Sequence, residues 1–332
     1  MYYDYGPILD RAALINMIVG GRGIGKTYGA KDLAILDWIK HGWEFIYLRR
    51  YGTELQNISS YFADIAHKYP ECEWRVKGHL AQARPADSDH KWSTVGYFMS
   101  LSKAGSVKSV AFPKVRKIIY DEFLLAKGFT RYIPHEVTAL FEFINTVDRY
   151  EDRVQAFLVA NGVDVVNPYF LHWQIQPHLG EIRRYADGLV VADFPRAEAY
   201  AAHARSSRLG RLTAGTDYER YALGNEAIAG ASEYLARKTP TADYQWSISH
   251  GGWAISFWYD RASKLWYVQR KQPRKPTTYA LTVRDASEHT VIEPNDGVIK
   301  ILRHAYRTRA MYFESHQTHA AFQAILAFLN TK

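Results

Sequence analysis

The chain holds one cysteine, Cys72, in 332 residues. A single thiol excludes an internal disulfide framework and fits a reducing cytoplasm. No apolar run approaches the ~20 residues that a membrane-spanning helix needs. The opening Met1-Tyr2-Tyr3-Asp4-Tyr5 does not read as a signal peptide. There is no internal repeat and no low-complexity tract. A GTP switch normally carries an Asn-Lys-x-Asp motif that reads guanine, and this chain has none.

What is present is a large, foldable chain. Hydrophobic residues make up 47% and aromatic residues 14%, so a packed core is expected and disorder is not. The length suits two domains. The net charge of +8 is uneven. Residues 1–196 carry 24 Lys+Arg against 22 Asp+Glu, or +2; residues 197–332 carry 18 against 12, or +6. A basic C-terminal third fits a polyanionic partner such as DNA or RNA, and equally a merely soluble basic surface.

The most informative stretch is Gly20-Gly21-Arg22-Gly23-Ile24-Gly25-Lys26-Thr27, a full G-x-x-x-x-G-K-[ST] match. The apolar run Leu14–Val19 leads in and a helical pattern follows from Lys26. A strand, a glycine-rich turn and a helix start form a phosphate cradle: bare backbone N–H groups approach the phosphates and the helix end adds positive potential. Lys26 reaches the β- and γ-phosphates and Thr27 holds Mg²⁺.

Asp121 lies 95 residues beyond Lys26, at the end of Lys117-Ile118-Ile119-Tyr120-Asp121-Glu122. A β-rich run closing on two acids has the form of a Walker B strand. Asp121 then serves the Mg²⁺ shell and Glu122 polarises the attacking water as general base. The spacing leaves room for a strand between the motifs. This is the pattern of ATPases with an additional strand and a catalytic glutamate (ASCE type).

Between the motifs, Trp43–Leu48 reads as a second core strand ending in Arg49-Arg50-Tyr51. These arginines suit contact with DNA, contact with a neighbouring subunit's nucleotide, or a salt-bridged strand end. A helix is expected over about 53–68. Residues 73–102 read as short strands around the polar 84–91, a protruding hairpin whose tip is either plain surface or a DNA-touching loop. After the acids, Val137, Leu140, Phe141, Ile144 and Val147 mark an amphipathic helix over 134–148. Arg149 and Arg153 at its end are candidates for an arginine finger or simply solvated. Val154–Ala160 is a buried strand tipped by Asn161, a γ-phosphate sensor or a turn residue. Gly188–Val191 supplies a last strand.

Residues 196–225 read as a basic linker with some helix, carrying Arg205, Arg208 and Arg211. Beyond it, Tyr244, Trp246 and Ile248 alternate, Gly251-Gly252 turns, and Trp253, Ile255 and Phe257 alternate again, a hairpin. Leu265–Arg270 adds a third strand, and helices near 297–309 and 316–330 close the chain. Basic residues cluster at Arg270, Lys271, Arg274, Lys275 and Arg284, and later at Arg303, Arg307 and Arg309. The hairpin tryptophans either stack on bases or form core.

Several stretches, in order, carry a resemblance. They are Gly20–Thr27 with Tyr28; Phe45–Tyr51; Ile119–Phe123; Tyr132-Ile133-Pro134; Asn161 with Val165–Phe170; and Gly210-Arg211-Leu212 with Gly215-Thr216. With these the sequence resembles the DNA-packaging ATPases (encapsidation proteins) of φ29-type tailed phages. The resemblance implies an α/β P-loop ATPase domain of ASCE type with a mainly parallel sheet over 1–195. A basic linker follows at 196–225. A small α+β C-terminal domain, similar to an RNase H-type nuclease without its acids, occupies 226–332.

It also implies ATP and Mg²⁺ as cofactors, and a homo-oligomeric, pentameric ring on the portal of a procapsid. The ring drives double-stranded DNA inward, with a scaffolding RNA as a further partner. Such a ring works in the host cytoplasm, docked on the procapsid, without a membrane. By position, Gly20–Thr27 with Tyr28 bind nucleotide, Asp121 serves metal, and Glu122 is catalytic. Arg149 takes the place of the trans-acting finger, Lys108 that of a trans-acting lysine, and Asn161 ends the sensor strand. Arg49, Arg50, Lys271, Arg274 and Lys275 are candidate nucleic-acid contacts. The strand Tyr244–Ser249 carries no carboxylate, leaving Asp243, Asp260 and Asp285, so nuclease activity is not expected. Rival readings are a helicase or helicase loader, a terminase with an active nuclease, and a nucleotide-dependent switch.

Overall fold

A computed structural model describes residues 3–107, 109–125, 132–161, 167–196, 198–216, 219, 234–270, 272–274, 276–288, 290–291 and 294–330. The chain divides into two compact units, Met1–Asp164 with Pro177–Ala227, and Val165–Gln176 with Ile228–Lys332. The segment Val165–Gln176 thus groups with the second unit although it lies within the first 195 residues. No helix among the described residues is long and apolar enough to cross a membrane.

The first unit runs α1 (Gly6–Leu9), β1 (Ile15–Gly20), α2 (Lys26–His41), β2 (Glu44–Arg49), β3 (Cys72–Lys77), β4 (Leu80–Pro85), β5 (Ser93–Ser100), β6 (Val115–Asp121), α3 (Glu136–Asp148) and β7 (Gln155–Asn161). Next in sequence is α4 (Pro168–Trp173), of the second unit; β8 (Ile182–Tyr185), β9 (Val190–Asp193), α5 (Glu198–Ser206) and α6 (Arg208–Leu212) return to the first. Its nine strands form one sheet in the order β3-β4-β5-β2-β6-β7-β1-β9-β8. The six central strands β5, β2, β6, β7, β1 and β9 are parallel. Both edges turn antiparallel. Parallel strands covered on both faces read as unbroken apolar runs, and β1 and β7 do so. In space the strand between the two motif strands, β1 and β6, is β7, which comes after both in sequence.

Two local expectations change. Residues 53–68 fold as three 3₁₀ turns, Gly52–Leu55, Ile58–Ser60 and Ala66–Lys68, not one helix. The apolar spacing of Tyr61, Phe62, Ile65 and Tyr69 is helical, but the polar run before it is not. Ser60 Oγ donates to the Asn57 carbonyl, and Lys31 Nζ donates to the Tyr61 carbonyl at 2.9 Å, where a helix would place an amide. On α3, the inward face holds Val137, Leu140, Phe143, Ile144 and Val147, while Phe141 is 38% exposed. Phe143 takes the place expected for Phe141. The polar segment after β4 is the turn of the antiparallel β4–β5 pair, as the hairpin reading anticipates.

Arg50 is not a nucleic-acid contact: it is 1% exposed. Its Nε meets Glu136 Oε2 at 2.8 Å, its NH2 donates to the Phe123 carbonyl at 2.5 Å, and its NH1 donates to the Glu122 carbonyl at 3.2 Å. Tyr120 OH and the Ile133 amide complete the Glu136 carboxylate, each at 2.9 Å. A guanidinium out of water needs such a full set of acceptors.

The second unit is a six-stranded sheet, β14-β13-β10-β11-β12-β15, from β10 (Asp243–His250), β11 (Trp253–Asp260), β12 (Leu265–Gln269), β13 (Thr278–Ala280), β14 (Thr290–Val291) and β15 (Met311–Phe313). Helices α7 (Asp296–Arg307) and α8 (His316–Asn330) follow the expected spans. The β10–β11 turn is Gly251-Gly252, with φ of 59° and 79°, where a side chain would be strained. Trp246, Trp253 and Trp266 pack against the Ile248, Phe257, Leu302 and Phe322 core, so these three tryptophans are core-forming.

The Arg50–Glu136 pair yields a stability prediction. Glu136→Ala leaves a buried guanidinium without its partner and should cost about 3–5 kcal/mol. Replacing both residues together by Arg50→Met and Glu136→Leu should cost clearly less. Urea denaturation of the three proteins measures the difference.

Candidate nucleotide-binding site

The carboxyl ends of β1, β7 and β6 share one edge of the sheet, and every motif residue lies there. After Gly20 the backbone curls through Gly23 (φ 81°) and Gly25 (φ 80°), left-handed conformations open to glycine, and α2 starts at Lys26. The N-terminal segment straps this loop from outside: the Tyr3 amide donates to the Ile24 carbonyl at 2.7 Å, and Tyr5 OH to the Lys26 carbonyl at 2.5 Å. Tyr3 OH donates to Asp193 at the end of β9 at 2.6 Å. Burial raises the Asp193 carboxyl above its ordinary range.

Lys26 is 6% exposed. Its Nζ donates to the carbonyls of Gly20 (3.1 Å) and Gly21 (2.7 Å) and to Asn161 Oδ1 (3.3 Å). Burial lowers its pKa to about 8; the Asp121 charge opposes this and the Arg22 charge adds to it. Among the described residues Lys26 has no ion pair, and a phosphate placed in the cradle offers this ammonium a direct anionic partner.

At the end of β6, Asp121 accepts from Thr27 Oγ1 at 3.0 Å and from Tyr47 OH at 2.6 Å. The Thr27 hydroxyl and Asp121 carboxylate are hard oxygen donors, side by side, and fit Mg²⁺. Burial, then the Asp121 charge, push the Tyr47 phenol far up, so it stays a hydrogen-bond donor to that carboxylate. Glu122 turns out of the sheet at φ 57°, its amide held by the Val159 carbonyl at 2.8 Å. Its side chain is 57% exposed and accepts from Arg49 NH2 at 2.6 Å.

Arg49 also meets Glu54 at 3.1 Å and Asp121 at 3.6 Å, and its side chain is 15% exposed. Burial works against its charge, but Tyr47, Glu122 and Asp121 outweigh that and raise its pKa. Arg49 is therefore a site residue and not a nucleic-acid contact, because the carboxylates occupy its donors. Arg49 occupies one Glu122 oxygen, so presenting that oxygen to a water requires Glu122 to leave Arg49.

Arg22, Gly23, Gly25, Lys26, Thr27, Tyr28, Asp121, Glu122, Ala160 and Asn161 line one cleft of about 400 Å³. Gly20 and Gly21 touch it through Lys26, and the Ile24 side chain is buried beneath. Arg149 stands apart from this cleft. It caps α3 at φ 55°, exposed, with NH2 donating to the Val110 carbonyl at 3.5 Å. Arg153 is no finger candidate, since its guanidinium donates to the carbonyls of Phe112, Val115 and Val147. Arg274 is exposed in the second unit. Lys108, Lys271 and Lys275 lie outside the described residues. Sequence reasoning missed Tyr3, Tyr5 and Tyr47, whose only signal is the tyrosine-rich start and the strand before Arg49.

Residues 1–326 match the family model of the Podovirus DNA encapsidation protein (Gp16). The chain belongs to this family. It is 34% identical to the DNA packaging protein of Bacillus phage phi29 over 297 residues, covering 89% of this chain and 87% of that one. To the DNA packaging protein of Bacillus phage B103 it is 33% identical over 289 residues, covering 87% and 88%. Among solved structures, it is similar to a chain of the phi29 viral genome packaging motor assembly, with TM-score 0.79, 31% identity and 99% of each chain covered. The N-terminal domain of the phi29 DNA packaging ATPase matches at TM-score 0.53 and 37% identity, over 58% of this chain and 96% of that one.

The depressed Lys26 pKa fixes a pH dependence. Between about pH 8 and pH 10.5 the unfolded chain keeps the Lys26 proton and the folded chain does not. This group's contribution to stability therefore rises with pH across that window. Denaturant titrations at pH 7.5 and 9.5 should differ by about 2 kcal/mol less in Lys26→Met than in wild type.

Proposed function

We propose that this chain is the motor subunit of a homo-oligomeric ring that hydrolyses ATP to drive double-stranded viral DNA into a preformed procapsid. The observation that carries the reading is the meeting of Lys26, Thr27, Asp121 and Glu122 in one cleft of a chain belonging to the encapsidation family. Lys26 and the amides of the glycine loop hold the phosphates. Thr27 and Asp121 hold Mg²⁺, which neutralises phosphate oxygens when bound. Glu122, once released by Arg49, takes the proton of the attacking water. Asn161, already bonded to Lys26, reports the γ-phosphate along β7.

Arg149 acts in trans. Its exposure and its distance from the cleft of its own chain support service in a neighbour's site, with Lys108 as a second trans-acting cation. Five subunits form the ring, which docks on the portal in the host cytoplasm, with an RNA as scaffold. The exposed Arg274, with Lys271 and Lys275, contributes to the nucleic-acid or portal surface of the C-terminal domain, where phosphate contacts are sequence-independent and salt-sensitive.

That domain is a vestigial RNase H-like nuclease. Two of the three remaining candidate acids are held by local turn and strand-end donors, and β10 supplies no carboxylate between Tyr244 and Ser249 to join them. Asp260 accepts from Thr239 (2.8 Å), Thr241 (3.1 Å) and the Ala262 amide (2.9 Å). Asp285 accepts from Thr282 (2.6 Å) and the Gly251 amide (2.9 Å). On β10, Ser247 faces Ser256 of β11 at 3.0 Å, both buried. A Mg²⁺-dependent nick in DNA, lost in Asp260→Asn, would overturn this part.

Two measurements test the motor. ATP hydrolysis should be stimulated by double-stranded DNA, and Glu122→Gln should abolish that stimulation at equal nucleotide occupancy. No stimulation in rings assembled on procapsids would sink the reading. Arg149→Ala should lower hydrolysis by about 10³–10⁵, the usual worth of an arginine finger. Mixed rings of Arg149→Ala and Lys26→Ala subunits should regain activity, because one intact interface can form; rings shown to be mixed yet inactive would refute the trans role.

A further inference from the structure

The P-loop has an outer wall that no motif contains. After β9 the chain passes Pro195 and enters α5, and both touch the loop at bare glycines. A side chain at Gly20 would meet Pro195 Cγ at 3.1 Å. At Gly23 the contact is closer. A Cβ there would lie 1.9 Å from Tyr200 OH and 2.2 Å from its Cζ. The phenol thus occupies the space that glycine leaves free, and Gly23 is constrained twice, by its φ of 81° and by Tyr200.

Gly23 lines the phosphate cleft, and the Tyr200 hydroxyl packs against Gly23. Tyr200 is half-buried, with a ring fixed against backbone. Its hydroxyl has no hydrogen-bond partner among the described residues. A phenol is a good donor, and an immobilised one at a phosphate cradle loses little freedom on donating to an anionic oxygen.

We propose that Tyr200 is a nucleotide-binding residue whose hydroxyl donates a hydrogen bond to a phosphate oxygen of the ligand in the Lys26 cleft. The inference rests on the nucleotide reading of that cleft and not on DNA translocation. It makes the start of α5 part of the nucleotide site.

The test is direct titration of the full chain with a fluorescent ATPγS analogue in Mg²⁺, without DNA or procapsid. Tyr200→Phe removes one oxygen and should weaken binding about tenfold, the scale of a hydrogen bond to a charged group. Tyr200→Ala should weaken it at least as much. In hydrolysis assays Tyr200→Phe should raise KM with kcat retained, as for a contact made equally in ground and transition states. Its melting temperature without nucleotide should equal wild type, since no protein partner is lost.

Tyr200→Phe binding within twofold of wild type would overturn the proposal, even if Tyr200→Ala binds weakly, because only ring packing would then matter. A lower melting temperature of ligand-free Tyr200→Phe would also overturn it, by assigning the hydroxyl to the fold. Lys26→Ala, which should abolish binding, is the separate control on the nucleotide reading. A failure there sinks the site, whereas a failure at Tyr200 alone leaves the site and the motor standing.

Discussion

The parallel register of β1, β7 and β6 is the constraint from which the site follows. Gly20 stands beside Asn161, and Asp121 beside Val159. Strands running the same way deliver their carboxyl ends to one edge, so residues far apart in sequence arrive together. Lys26 and Asn161 are 135 positions apart and in hydrogen-bond contact. Thr27 and Asp121 are 94 apart and bonded. An antiparallel partner at β7 would have sent its tip to the opposite edge and left Lys26 without that contact.

Two adjacent arginines show how strand geometry divides labour. Side chains alternate along β2, so Arg49 and Arg50 leave the strand end in different directions. Arg50 is sunk against Glu136 and binds the carbonyls of Glu122 and Phe123. Arg49 stays at the cleft and holds the Glu122 carboxylate. One guanidinium thus fixes the backbone of Glu122, and the other restrains its side chain. The left-handed turn at Glu122 is tolerated because both its amide and its carbonyl are bonded.

The tyrosines serve a similar purpose at lower cost. Tyr3 and Tyr5 anchor the loop and helix start, Tyr47 donates to Asp121, and Tyr200 sits on Gly23. Tyr5 and Tyr47 each supply a rigid ring with a polar tip, so each ties apolar packing to one polar atom of the site.

Local features were readable directly. The P-loop, the run ending in Asp121-Glu122, the Gly251-Gly252 hairpin and the two closing helices each rest on contiguous residues with a strong pattern. The turns at 52–68 were not readable, because Lys31, far along the chain, takes the Tyr61 carbonyl. Nor were β8 and the short β13, β14 and β15, whose two to four residues are strands only because a neighbour pairs with them. The sequence by itself determined the phosphate cradle, the acids and the family, since these depend on residue type at fixed spacing. Tertiary structure alone decided which of Arg49 and Arg50 is buried, that Glu122 rests on Arg49, and that Tyr200 closes over Gly23. Those outcomes depend on where distant strands end, and burial rather than local preference selects among them.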